Sequence, residues 1–169
     1  ALQTRGRCFL AQGVYQRAIE AFHQQLTVAE RIEDKRSRNS AQLYLAQTQV
    51  ERGDFAAAQS LLDQVAEDID SSSNISLVGH FRAVNGMLQQ RTGNCEEARQ
   101  EFGQALTIFA MVDDRYRETA ARYHLGQTLA VMGERVRARD ELHQAQATCR
   151  RFGNIPLRRQ IDQALATLE

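Results

Sequence analysis

Apolar residues return along the chain at helical spacing, and the runs are interrupted at short intervals by Gly, Asp, Asn or Ser. Ala18, Phe22, Leu26 and Ala29 stand at i, i+4, i+8 and i+11, one apolar stripe of a helix over 15–33. Leu43, Leu45, Ala46 and Val50 mark the inward side of a helix over 36–52, and another is expected over 55–70. The same texture predicts helices over 76–92, 95–111, 116–132 and 135–152, with a shorter one over 1–12. After Gly153-Asn154-Ile155-Pro156 a last helix, over 156–168, carries Leu157, Ile161, Leu165 and Leu168 on one face. Pro156 is compatible with it because a first-turn N–H has no intrahelical partner to lose.

These helices are not independent. Gly13, Gly53, Gly93 and Gly133 are 40 residues apart, and an Ala follows each at the fifth position: Ala18, Ala58, Ala98, Ala138. Seven residues before each glycine stands a small residue, Gly6, Ala46, Gly86 or Gly126. Nine after it stands a large apolar one, Phe22, Leu62, Phe102 or Leu142. Asp34, Asn74, Asp114 and Asn154 share a further position, and each can accept a hydrogen bond from the free N–H groups of a helix start. Each unit therefore reads as cap, helix A, glycine turn, helix B and linker. The glycine supplies the permissive backbone of a tight turn. The small residue lets two helix backbones approach, and the large one fills the space between them. A fixed period of this size marks a stacked repeat architecture, in which each unit contacts only its neighbours.

The pattern of small residue, Gly, Ala and large apolar residue resembles the tetratricopeptide repeat, over the whole chain. The fourth unit fits best, with Leu125-Gly126, Gly133, Ala138, Leu142 and Ala145 all in register. Departures are specific. Leu2, Gln42, Arg82 and Arg122 replace the family's early aromatic residue, Arg5 and Asn85 take its Leu position, and Gln25 its second small position. The unit is also longer than the common 34-residue form, and looks like the long-helix variety of bacterial signalling regulators. The resemblance implies an all-α fold, a right-handed α-solenoid of antiparallel helix pairs. About four repeats are expected, over 1–33, 34–73, 74–113 and 114–153, with a terminal helix over 155–168. The cap of the first helix would lie before position 1, so the sequence reads as a single domain cut from a longer protein.

Composition narrows the function. Formal net charge is +0, which gives no bulk electrostatic case for direct nucleic-acid or membrane binding. The distribution is uneven: residues 41–80 carry a local net of −5, while 1–40 and 121–169 are each +3. Cys8, Cys95 and Cys149 are odd in number and far apart, which argues against a disulfide framework and for a reducing, cytoplasmic setting. Cys149 falls in register with Ala29, Ile69 and Phe109, so it is expected to be a buried packing residue. No apolar run approaches the ~20 residues of a membrane span. Nucleophile-elbow, phosphate-loop and zinc-protease motifs are missing, so no catalytic residues, cofactor or metal are expected. His80 and His124 lie on consecutive A helices, but neither has a ligand-type partner at i+3 or i+4.

The leading expectation is a module that binds a protein or peptide. The resemblance implies a concave wall built from the A-helix positions that face away from helix B. In the first repeat these are Gln3 and Arg7. In the second they are Leu43, Gln47, Val50 and Glu51. In the third they are His80, Ala83, Met87, Gln90 and Arg91, and in the fourth Tyr123, Gln127 and Val131. Amides and arginines suit an extended peptide, whose backbone groups and carboxylates need hydrogen-bond partners. The lysine pattern with which some family variants clamp a C-terminal carboxylate is missing; Lys35 is the only lysine. The alternative is an effector-sensing segment of a larger bacterial signalling or transcription regulator, with another domain of the same chain as its partner.

Overall fold

A computed structural model of the chain describes residues 2–70, 73–153 and 155–168. Among them are nine helices and no strand. They are α1 (Leu2–Ala11), α2 (Tyr15–Arg31), α3 (Lys35–Arg52), α4 (Phe55–Asp70), α5 (Ile75–Thr92), α6 (Cys95–Met111), α7 (Arg115–Val131), α8 (Arg135–Phe152) and α9 (Ile155–Ala166). The ends fall within two residues of those the sequence predicts, because the residues that stop each helix recur with the period. The chain divides into two compact units, residues 1–77 and 78–169.

The stop signal is a backbone motif. Gly13, Gly53, Gly93 and Gly133 all have positive φ, between +71° and +91°. At each, the glycine N–H bonds the carbonyl three residues back and the next N–H bonds the one five back, as in Gly53 to Val50 (3.1 Å) and Asp54 to Gln49 (2.9 Å). This left-handed closure satisfies two carbonyls at the helix end and turns the chain back on itself. At the start of the next A helix, Asp34 and Asp114 each accept a backbone N–H three residues on, at 3.0 Å, and Asn74 accepts from Leu77 at 3.3 Å. Asn154, the fourth expected cap, lies outside the described residues.

The turns from helix B to the next helix A use the same closure without glycine in two cases. Glu33 (φ 54°) and Asp113 (φ 53°) occupy the left-handed position that Gly153 fills at the end of α8. A side chain there is strained by roughly 1–2 kcal/mol. Glu33 is exposed, so Glu33→Gly is expected to raise stability by about 0.5–1 kcal/mol, the relief of strain exceeding the added freedom of the unfolded chain. An unchanged or lower melting temperature would contradict this.

In three of the pairs the small residue is a glycine, and it meets the large residue sixteen positions on, around the turn. A Cβ placed on Gly6 would fall 2.4 Å from the Phe22 ring, one on Gly86 2.9 Å from Phe102, and one on Gly126 2.7 Å from Leu142. The backbone of helix A therefore lies directly against the large side chain of helix B. In the first unit Phe22 also stacks on Tyr44, ring centroids 5.1 Å apart, and joins Ala18, Ile19 and Leu45 in one core cluster. In the second unit Ala105, Phe109 and Ala121 form another. Cys149 is buried in the packing of α8. α9 packs on α8 and α7 through Leu157 and Ile161, and Arg135 and Arg139 both donate to the Leu168 carbonyl.

The position at which the resemblance leads one to expect an early aromatic residue has a local replacement. Arg82 of α5 pairs with Glu101 of α6 (3.2 Å), and Arg122 of α7 pairs with Glu141 of α8 (2.8 Å), both nineteen residues apart. Gln42 donates to Gln64 across α3 and α4 at 3.1 Å. A polar tie between helices A and B stands where an aromatic plug would pack.

Candidate functional site

The two kinds of helix are exposed differently. A B helix such as α2 shows an apolar stripe inward and a polar face outward; His23 and His143 are exposed on two of them. An A helix such as α3 is packed by α2 and α4 and touched by α1, so Asn39, Ala41, Leu43, Tyr44, Leu45, Thr48 and Val50 are buried nearly all round its axis. Only a narrow stripe of an A helix remains for a partner.

Four residues expected on the wall are not on that stripe. Leu43 and Val50 are buried in the first unit at 0% and 1% exposure, and His80 and Met87 in the second at 4% and 7%. The remaining ten are accessible. In the first unit Gln3, Gln47 and Glu51 are half-buried, and Arg7 is exposed with its guanidinium 6.0 Å from the centre of the Tyr44 ring. In the second, Arg91 and Val131 are exposed, while Ala83, Gln90, Tyr123 and Gln127 are half-buried.

The second unit brings several of these together around a residue that sequence pattern did not single out as a wall residue. His124 of α7 stacks on Phe102 of α6, centroids 5.7 Å apart, and meets the edge of Tyr123 at 5.1 Å. Gln90 of α5 donates to the His124 carbonyl (3.0 Å) and to the Thr128 hydroxyl (3.1 Å), and its own oxygen lies 3.3 Å from His124 Nδ1. Gln90 is thus an interhelix tie rather than a free amide. Gln127 donates to the Tyr123 hydroxyl at 2.9 Å. Burial, aided by the Arg91 guanidinium, pushes the His124 pKa down to about 4, so the imidazole is neutral at pH 7. On the same helix Glu118 is buried between Arg122 (3.1 Å) and Arg115 (3.5 Å). The Gln90–Thr128 pair, close to one period apart, is the sequence signal that would have exposed the tie.

Among the described residues no three His, Cys, Asp or Glu side chains converge as metal ligands, and no helix is long and apolar enough to cross a membrane. Cys8, Cys95 and Cys149 are free thiols.

Helix pairs closed by glycine turns at a 40-residue period define an all-α helical-repeat protein. The tetratricopeptide repeat model matches residues 40–68, and the fold is similar over the chain to that of solved repeat proteins. One similar structure is a Signal Transduction ATPase with Numerous Domains (STAND) protein with a tetratricopeptide repeat sensor from Pyrococcus horikoshii, at 18% identity and TM-score 0.75. It is matched over 99% of this chain but only 25% of its own length. BtubC from P. vanneervenii matches at 18% identity and TM-score 0.70, over 91% of this chain and 65% of its own. A kinesin light chain-like repeat protein from Podospora anserina matches at 20% identity and TM-score 0.65, over 99% and 83%. No curated protein matches in sequence.

Proposed function

We propose that the chain is an interaction module that binds a protein or an extended peptide on the accessible stripe of its A helices. The observation that carries this reading is the pairing of accessible donors with a rigid backing in the second unit. Arg91 is exposed, and Tyr123 and Gln127 are held to each other beside the neutral His124. A guanidinium with an amide and a phenol fixed nearby offers donors to a peptide's carboxylates and carbonyls at little cost in side-chain freedom. The reading assigns no catalysis, and the free thiols favour a reducing, cytoplasmic setting.

Peptides selected from a random display library on the wild-type protein are expected to bind an Arg91→Glu/Gln127→Glu variant at least tenfold more weakly, with helicity by circular dichroism unchanged. Equal binding by the two proteins would move the site off this stripe.

A second reading is favoured by the STAND match. There the structure with a repeat sensor is four times longer than its matched part, and this chain would correspondingly be the effector-sensing segment of a larger signalling regulator. Its partner would then be another domain of that regulator, and binding on the A-helix stripe would report the effector.

A further inference from the structure

An open cleft of about 660 Å3 lies within the first unit and shares no residue with the accessible stripe described above. That volume is in the range of small-ligand sites, ~300–1,000 Å3. It is lined by the start of α3, one residue near the end of α4, and the first turn of α5 with the residues leading into it. Four of the lining residues carry side-chain donors: Lys35, Arg36, Ser73 and Ser76. None of the four side chains makes a hydrogen bond to another described residue.

The nearby acceptors, by contrast, are engaged. Asp68 is bonded by Arg38 and by the buried Asn39. Burial alone would push its carboxyl up, but those bonds and the charges of Arg38 and Lys35 outweigh it and hold the carboxyl below its ordinary range. Asp34, which caps α3, accepts both the backbone N–H (3.0 Å) and the hydroxyl (2.6 Å) of Ser37. What remains is a cleft with cationic and hydroxyl donors in excess and its carboxylates satisfied. Ile75 and Leu77 add an apolar wall.

We propose that this cleft binds a small phosphate monoester. Its terminal oxygens and its charge of −1.5 to −2 at neutral pH match a lysine, an arginine and two hydroxyls better than the two oxygens and single charge of a carboxylate do. The organic group lies against Ile75 and Leu77.

The test is a titration of the 15N-labelled protein with phenyl phosphate, with benzoate and phenol run in parallel at the same ionic strength. Phenyl phosphate is expected to shift the amides of Lys35, Arg36, Ser73 and Ser76 saturably. Benzoate should bind at least tenfold more weakly and phenol not at all. Lys35→Ala/Arg36→Ala should weaken phenyl phosphate at least tenfold with an unchanged melting temperature, both side chains being exposed, while Lys35→Arg retains binding. No saturable shift in the wild-type protein, benzoate binding as tight as phenyl phosphate, or undiminished binding by the double variant would each overturn the proposal. Neither the peptide selection nor its A-helix variants touch this cleft, so the two readings fail separately.

Discussion

Gly126→Leu is expected to destabilise the second unit by about 3 kcal/mol or more, the upper end for inserting bulk into a filled core. A Cβ at this position would lie 2.7 Å from Leu142 Cγ and 3.2 Å from the Ala138 carbonyl oxygen, so α7 and α8 would have to separate. Leu142→Ala, which empties the same contact, should cost about 2–5 kcal/mol by itself. The combination is the informative experiment. If the two residues fill one space, Gly126→Leu/Leu142→Ala should be more stable than the sum of its parts by about 1–3 kcal/mol, a coupling that only neighbours show. Additive losses in chemical denaturation would mean that they do not share a contact and that the sixteen-residue pairing is misread.

That pairing also shows what the sequence makes legible. Gly6, Gly86 and Gly126 announce close helix approach because no other residue leaves the space, and each large partner lies at a fixed distance along the same repeat. The four turn glycines and the Asp and Asn caps are visible for the same reason: their roles are set within a few residues of chain. The left-handed turns at Glu33 and Asp113 were not visible, since a carboxylate residue there carries strain without advertising it; only Gly153 in the same register hints at them.

The accessible stripe was legible in part. Period and resemblance tell which side of helix A faces away from its own helix B. They do not tell which of those positions lie against further helices of the stack. Leu43 and Val50 therefore belong to the packing, whereas Gln47 and Glu51, on the same helix, stay partly open. Gln90 was expected to be offered to a partner because its amide is polar. Its donors are instead directed to the carbonyl and hydroxyl of α7, a choice fixed by a residue a whole repeat away.

Phe102 joins both levels, since its ring packs close against Gly86 and also stacks on His124. Phe102→Ala is expected to cost about 3–5 kcal/mol, the range for emptying a phenyl site in a core, because Phe102 is fully buried. It should also change how stability depends on pH. In the wild-type protein His124 titrates at about 4, against ~6.5 in the unfolded chain. Its neutral form contributes in full above ~6.5. As pH falls toward 4, the unfolded chain takes up a proton that the folded one refuses, and stability declines. The full shift corresponds to about 3 kcal/mol, reduced to roughly 1–2 for a half-buried ring reached by water. Removing the Phe102 ring, which stacks on His124, opens the imidazole further to water and weakens the burial that is the main cause of the shift. The His124 ring signals of Phe102→Ala should therefore titrate well above 4, toward 6.5, and the loss of stability over that interval should flatten. A ring that still titrated near 4 in this variant would assign the shift to Arg91 instead, and Arg91→Gln would then be the substitution that releases it.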